Sequence, residues 1–531
     1  MIRTGSMAHE SGEPAGSHDV RRGLRHPQDV AAEPPGHGPS TSSMTDVSNR
    51  LERLSHRDLL KTIGTIAARK GVEAYAVGGI VRDVLLDRPT TDVDVVTVGR
   101  GSGILLADAV AGQLGGVPVH VYPSFGTAAI RLDGRAGLGP IVVEFVAARR
   151  ESYRADSRKP EVESGTLEED LARRDFTVNA MAADLHPDRF GRLVDPFDGC
   201  ADVTRHVLRT PLAPGETFED DPLRIIRAAR FAAQLDFNVH PDVLAAMRAR
   251  ADRVRILSQE RITEEFQKIL CTNRPSVGFA LLQQTGVLPI VLRPLSDLEG
   301  VEAIDGHRHK DNFHHTLQVV DNLVESTHER SCSSTIWLRW AALFHDIAKP
   351  ATKRFVEGTG WTFHGHEDRG ARMIPRLFRA LKLPMDERMH YVQRLVRLHH
   401  RPVALVDEHV TDSAVRRLLF EAGDDVEDLM VLVRADITSK NPRRVSRYLK
   451  AFDRVEEKMA EVEEKDRLRN FQPPVDGNEI MQALDLAPGP LIGVLKDAIR
   501  EAILEGEIPN DHDAAFEHLM RIKDDVLASH P

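Results

Sequence analysis

The chain has 531 residues, too many for a single hydrophobic core, so about two to four domains are expected. Hydrophobic residues at 41% and charged residues at 28% fit a water-soluble globular protein, and no run of about 18 apolar residues is present to span a membrane. A formal net charge of −11 excludes a surface that is basic throughout, so nucleic-acid binding would need local patches. Arginine is dense over 149–174, 224–255 and 372–417.

Residues 1–46 are rich in Gly, Pro, Ser and His and lack periodicity, which predicts a disordered extension without a signal core or presequence. Met44 is a candidate for the original start, the sequence before it then coming from an alternative one. A helix is predicted over 48–70, then a strand at Tyr75–Val77, a glycine turn, and a helix from Val81. Strands follow at Val93–Val98, Val117–Val121, Thr127–Leu132 and Ile141–Val146, with a helix over 103–114. Beyond residue 215 the pattern is helical, with breaks near 289–312, 384 and 471–476 and one strand signal around 353–364. The fold class is therefore α+β and multidomain. Cys200, Cys271 and Cys332 lie far apart without metal-ligand spacing, so reduced thiols of a cytoplasmic protein are expected.

The chemistry begins at Gly78-Gly79-Ile80-Val81-Arg82-Asp83, followed by Asp92-Val93-Asp94. Glycines let backbone N–H groups approach phosphate oxygens, and Arg82 can fork onto the same phosphates. Alternate residues of a strand share a face, so Asp92 and Asp94 point together and repel unless a cation such as Mg²⁺ joins them. Glu144 sits inside the apolar strand 141–146, where a charge is costly unless paired or metal-bound, and is a candidate third carboxylate. Asp170-Leu171-Ala172-Arg173-Arg174-Asp175-Phe176-Thr177-Val178-Asn179 offers adjacent arginines, Asp175 and Asn179 to a triphosphate and ribose. In Glu219–Phe231, Pro222 suits a helix start, and Arg224, Arg227 and Arg230 recur every three residues as one stripe. Asp221 can accept from the amino group of cytosine or adenine while Arg224 donates to the ring nitrogen. Uracil and guanine present the opposite polarity and would leave buried groups unpaired.

Together these segments resemble the class II CCA-adding tRNA nucleotidyltransferases of the polymerase-β superfamily. The resemblance runs from about residue 72 to 275 and more loosely to about 450, and includes Arg150-Glu151-Ser152-Tyr153 and Leu193-Val194-Asp195-Pro196-Phe197-Asp198-Gly199. It implies a nucleotidyltransferase head over 47–200, a helical neck and body over 201–300 and a tail over 451–531. It also implies tRNA, CTP and ATP as substrates, Mg²⁺ at Asp92 and Asp94, and catalysis by Asp92, Asp94 and Glu144. Gly78, Gly79, Arg82, Arg173, Arg174, Asp175, Asn179, Arg227 and Arg230 would hold the nucleotide, and Asp221 and Arg224 would choose the base. Bacterial poly(A) polymerases share such a head but usually carry a Gly-Arg-Arg-Phe-like segment where this chain has Val117-Pro118-Val119-His120-Val121. A poly(A) polymerase or an A-adding-only enzyme of the same family is the alternative.

Downstream, His314-His315, His345-Asp346 and Asp436 fall in an order that resembles the HD metal-dependent phosphohydrolases, implying an HD domain over 301–450. His315, His345, Asp346 and Asp436 would bind one divalent ion, with His366, His399 and His400 available for a second. Imidazoles with carboxylates suit Mn²⁺, Ni²⁺, Fe²⁺ or Mg²⁺. Two further readings remain: an HD enzyme with a nucleotide-sensing head, and an RNA-binding protein with an inactive head. Oligomeric state is not readable.

Overall fold

The computed structural model describes residues 47–90, 92–122, 126–132, 141–152, 161–304, 307–308, 311–406, 411–439, 441–466 and 472–529. The N-terminal extension with Met44, and Tyr153, lie outside them. The described chain divides into two compact units, one built from 47–265 and 277–291, the other from 266–276 and 292–529.

In the first unit, helices α1 (Ser48–Leu51) and α2 (Arg57–Arg69) replace the single helix expected over 48–70. The run breaks because its start is anchored elsewhere: Val47 N donates to Gly191 O at 2.9 Å and Arg50 Nη1 to Leu85 O at 3.0 Å. Strands β1 (Ala74–Val77), β2 (Asp92–Thr97), β3 (Val119–Tyr122), β4 (Thr127–Leu132) and β5 (Ile141–Ala147) fall close to where the alternation put them. Helices α3 (Gly79–Leu85) and α4 (Ser102–Gln113) interrupt them. A hairpin of β6 (Arg149–Ser152) and β7 (Glu161–Ser164) precedes α5 (Leu167–Ala172). Strands β8 (Ala182–Asp184) and β9 (Leu193–Val194) complete a seven-stranded sheet in the order β3-β4-β5-β2-β1-β8-β9.

Within this sheet β2 and β5 run parallel, and every other pair is antiparallel. Val93, Val95 and Phe145 are fully buried, so apolar side chains on one face fix the register that sets the carboxylates on the other. Helix α4 lies tightly on β5: a Cβ at Gly103 would meet Ala147 N at 3.0 Å.

The helices α6 (Gly199–Arg205), α7 (Pro214–Asp220), α8 (Leu223–Leu235) and α9 (Pro241–Ala249) follow. Helix α8 buries Ile225, Ile226, Ala228, Ala229 and Phe231, which leaves the arginine stripe beside the site. After α10 (Gln259–Leu270) and α11 (Pro275–Gln284), the predicted break near 289–312 contains two short helices, α12 (Leu288–Val291) and α13 (Arg293–Ser296).

The second unit carries α14 (Asn312–Ser326), α15 (Cys332–Phe344), α16 (Lys349–Thr352), α17 (His366–Ala380), α18 (Glu387–Leu398) and α19 (Arg401–Ala404). These continue as α20 (Asp412–Ala422), α21 (Val426–Ala435), α22 (Pro442–Asp466), α23 (Gly477–Leu484), α24 (Pro490–Glu505) and α25 (His512–Ser529). The strand signal around 353–364 is a hairpin of Arg354–Val356 and Gly360–Thr362. Two-residue bridges at 238–239 and 303–304 are too short to leave an alternation. Among the described residues no helix is long and apolar enough to cross a membrane.

The expectation of three reduced thiols is corrected. Cys271 and Cys332 form a disulfide, their Cα atoms 5.5 Å apart, and the buried Cys200 takes no part in it. Their separation of 61 residues hid the pairing, because the second unit folds the end of α10 onto the start of α15.

Candidate active site

The site grows from the turn after β1. Gly78 has φ 74°, a left-handed conformation that disfavours a side chain, and a Cβ there would come within 2.7 Å of Arg174 Nη1. Its own N–H donates to Met181 O at 3.1 Å, and Gly78, Gly79 and Ile80 all line the pocket at the start of α3. Arg82 was expected to fork onto phosphate. The structure holds it, nearly fully buried, by Asp83 and Asn179: Nε donates to Asp83 Oδ1 at 2.9 Å, Nη2 to Asp83 Oδ2 at 3.0 Å and Nη1 to Asn179 Oδ1 at 2.6 Å.

The parallel register of β2 and β5 sets Asp94 opposite Glu144 and Asp92 opposite Val142. Glu144 therefore lies at the middle of the sheet, between β4 and β2, and its side chain is exposed beside the aspartates. Burial pushes the Asp94 carboxyl up; Arg174 offsets part of this and Asp92 adds to it. Burial, then Asp94 and Asp92, push Glu144 up as well. Asp92, Asp94 and Glu144 together form a carboxylate donor set that a hard divalent cation fits.

Opposite them, Asp170 is fully buried and gathers two guanidinium groups. Arg173 donates to its Oδ1 through Nε at 3.1 Å and Nη2 at 2.5 Å, and Arg174 Nη2 donates to its Oδ2 at 3.2 Å. Burial alone would raise this carboxyl, but Arg174 and Arg173 outweigh it and hold it below the usual range. Asp175 accepts from Phe176 N at 2.9 Å and Asn179 Nδ2 at 3.0 Å on one oxygen and from Arg227 Nε at 2.8 Å on the other. Burial opposes its charge, yet Arg227 and Asn179 bring it down to about 2. Arg230 pairs with Glu265 at 2.7 Å, and burial lowers its guanidinium to about 10, still a cation at neutral pH. Arg82, Arg227 and Arg230 all lie over the Phe231 ring, at 5.3, 5.4 and 4.0 Å from its centroid.

At the far end, Asp221 Oδ1 accepts from Leu223 N at 3.1 Å, so it does help start α8, with Pro222 in the cap position. Its other oxygen faces Arg261 Nη2 at 3.3 Å. Arg224 is buried and donates to Arg173 O at 2.5 Å and Thr217 O at 3.4 Å, tying α8 to the end of α5.

All nucleotide-binding residues expected from the sequence line one cavity of about 800 Å³ together with Asp92 and Asp94, while Glu144 lines an adjoining one with Asp94, Arg173 and Arg174. Sequence reasoning gave no role to Asp170 or Arg261. Asp170 stands three residues before the arginine pair and serves only to aim it, and Arg261 reaches the site only through the fold of α10.

A second cluster lies in the second unit at the ends of five helices. His315 stands in the first turn of α14, His345 and Asp346 follow the end of α15, His366 begins α17, and His399 and Asp436 cap α18 and α21. His315 Nε2 lies 2.9 Å from Asp436 Oδ1, and His345 Nε2 lies 3.2 Å from Asp346 Oδ2. Lys349 Nζ lies 2.6 Å from Asp346 Oδ2, and His366 Nε2 lies 3.3 Å from both Asp346 Oδ1 and His399 Nε2. His345, His366 and His399 each use Nδ1 on a backbone carbonyl three residues earlier, at 2.8 Å, which turns their Nε2 atoms inward. His400 packs beside His366 at 5.9 Å between ring centroids, and the exposed His314 instead pairs with Asp311.

Donor atoms of His315, His345 and Asp436 lie within 4.8 Å of one another, as do those of Asp346, His366 and His399. Burial opposes the charge of Asp346, but His345 and Lys349 hold it well below the carboxylate range, and burial keeps His399 neutral, at about 3. Imidazoles with ionised carboxylates fit a divalent metal.

Comparison with known proteins matches three segments of the chain. Residues 74–209 match the poly A polymerase head domain, 236–298 the probable RNA and SrmB-binding site of polymerase A, and 312–456 the HD domain. An A-adding tRNA nucleotidyltransferase of Deinococcus radiodurans is 31% identical over 83% of this chain and 94% of its own length. A multifunctional CCA protein of Pseudomonas fluorescens is 36% identical over 59% of this chain and 71% of its own. The fold resembles that of a Bacillus stearothermophilus CCA-adding enzyme in complex with CTP, with TM-score 0.59, 24% identity and coverage of 89% and 99% of the two chains. A Thermotoga maritima CCA-adding enzyme complexed with tRNA has TM-score 0.56, 19% identity and coverage of 90% and 98%. The chain belongs to the class II tRNA nucleotidyltransferases, the family of the CCA-adding enzymes.

Proposed function

We propose that this enzyme adds CMP, CMP and AMP in turn to the 3′ end of tRNA, from CTP and ATP and without a nucleic-acid template. The observation that carries this reading is the single cavity that joins paired carboxylates, an arginine cluster and the Asp221–Arg224 end of α8. Mg²⁺ held by Asp92 and Asp94 would activate the tRNA 3′ hydroxyl and steady the departing pyrophosphate. Glu144 keeps Asp94 in a field that favours the cation. Arg173 and Arg174, aimed by Asp170, meet the triphosphate, and Arg82, Arg227 and Arg230 supply the surrounding positive field. Asp221 accepts from the amino group shared by cytosine and adenine while Arg224 donates to the ring nitrogen. Basic helices from α8 onward hold the acceptor arm through its phosphates, which makes binding salt-sensitive.

The test is product length on tRNA lacking its last three nucleotides. Two additions with CTP alone and three with CTP and ATP are expected; long A tails with ATP alone would make it a poly(A) polymerase. The Deinococcus relative supports a second reading, addition of the terminal A only. Extension confined to tRNA ending in CC, by one residue, would select it. Asp92→Ala should abolish incorporation, by roughly a thousandfold or more, and leave tRNA binding intact. Retained incorporation would return the head to a sensing role.

For the second cluster the proposal is a divalent-metal site, with His315, His345, Asp346 and Asp436 as one ligand set and His366 and His399 extending it. Mn²⁺, Ni²⁺, Fe²⁺ and Mg²⁺ all suit these donors, and a phosphoester is the substrate class that such a centre hydrolyses. Metal content of the purified protein, with and without His345→Ala, tests it. A cytoplasmic location follows from the proposed substrates.

A further inference from the structure

Helix α22 carries a charge pattern that neither site uses. Arg443, Arg447, Lys450 and Arg454 recur at i, i+4, i+7 and i+11, which places them in one sector of roughly 60° over roughly 16 Å of helix. All four are exposed and, among the described residues, none has an acidic partner. The opposite face, with Ala451, Phe452, Val455, Met459 and Val462, is buried, so the stripe stands on a fixed support. The nearby acids are engaged elsewhere: Asp453 and Glu456 pair with Arg434 of α21 at 2.7 Å each.

The polarity of the helix is the telling feature. Beyond Arg454 the same stripe turns acidic, at Glu457, Glu461 and Glu464. Cations at the N-terminus and anions at the C-terminus both oppose the helix dipole, so this order costs helix stability. What it produces is a concentrated positive end, where side-chain charges and the dipole add. Arg444 and Arg447 flank the Tyr448 ring at 5.8 and 5.7 Å, giving the aromatic-among-basic pattern that nucleic acid favours. Alongside runs a shallow, mostly apolar hollow of about 450 Å³, lined by Ser439, Pro442, Val445, Ser446, Leu449 and Lys450. The helix starts shortly after Thr438, whose hydroxyl holds His315 of the metal-type cluster at 2.8 Å.

We propose that the first half of α22 is an RNA-binding surface: Arg443, Arg447, Lys450 and Arg454 neutralise successive phosphates of one strand, and the adjoining hollow takes an unstacked base. The surface lies beside the HD cluster, and the proposal rests on the RNA-directed reading given above only for the choice of polyanion. Charge complementarity supports a phosphate backbone, since a chain of net charge −11 repels polyanions except at such a patch.

The experiment uses the full chain and a fluorescent tRNA lacking its CCA end, with anisotropy read at several salt concentrations. The R443Q/R447Q/K450Q/R454Q variant should bind at least tenfold more weakly at low salt. Its slope of log K against log salt should fall by about three, the value for four contacts to a single strand. A variant with lysine in place of the three arginines should keep most of the affinity, which separates loss of charge from loss of fold. Unchanged affinity and slope in the glutamine variant, with an unchanged circular dichroism spectrum, would overturn the proposal. So would competition by poly-glutamate as effective as that by RNA of equal charge. CTP incorporation at saturating tRNA is measured in parallel: normal incorporation by the glutamine variant keeps the head reaction apart from this surface.

Discussion

Asp221 and Arg224 face the same cavity but carry unequal structural burdens. Asp221 pairs with Arg261 at a largely solvated position, where an ion pair contributes at most about 1 kcal/mol. Asp221→Ala also removes the acceptor for Leu223 N at the start of α8, so it should cost about 1 kcal/mol of stability while relaxing the choice of CTP and ATP over UTP and GTP by roughly 10- to 100-fold, read as kcat/KM ratios. Arg224→Ala removes the guanidinium bonds to Arg173 O and Thr217 O that tie α8 to its neighbours, and should cost about 1–2 kcal/mol as well as selectivity. Asp175 gives a pH test. Its folded carboxyl lies near 2, below the ordinary 3.8, so its contribution is present above pH 3.8 and is lost as pH falls through 2. The difference corresponds to about 2 kcal/mol at neutral pH. Asp175→Asn should weaken hydrogen-exchange protection of α8 at pH 7, and the gap from wild type should close as the pH approaches 2. The acids proposed to meet metal or base were legible in the sequence because paired charges in apolar runs are anomalous. Asp170 and Arg261 were not, since what they do is aim or neutralise another side chain.

Among elements, the turn at Gly78 and the cap of α5 both support the arginine pair. Gly78→Ala puts a methyl at a positive φ and against Arg174, so it should cost about 1–2 kcal/mol. It should also raise KM for the nucleotide more than it lowers kcat. Thr166 closes a capping box with Glu169 at the start of α5, and Thr166→Ala should lower thermal stability by about 1 kcal/mol. The alternating strands β2, β4 and β5 were readable because each has one buried face. Strand β8, Ala-Ala-Asp, was not: it is buried throughout and too short to alternate. The hairpin of β6 and β7 carries charges on both strands and so resembled a loop. The break between α1 and α2 depends on Gly191, far along the chain, and leaves no local signal.

Across the whole molecule, the order of head, RNA-binding and HD segments was legible because their motifs come in sequence. The Cys271–Cys332 bond was not, since only folding brings its ends together. Closing a loop of 61 residues corresponds to about 4 kcal/mol in the chain-entropy account. Dithiothreitol, or Cys332→Ser, should therefore lower the denaturation midpoint of the second unit by the equivalent of about 2–4 kcal/mol, followed by the exchange of α14 and α15 amides. Incorporation by the head should be the same at low denaturant.

The parallel pairing of β2 with β5 has a consequence for how this protein can change. The spacing of Asp92, Asp94 and Glu144 is dictated by backbone hydrogen bonds, which are indifferent to side-chain identity. The groups proposed to face the base, Asp221 and Arg224, stand at the start of α8, with Arg261 of α10 beside them. Substitutions at 221 and 261 can then drift while the bond-forming step stays intact, and a lineage can exchange one nucleotide preference for another without passing through an inert ancestor.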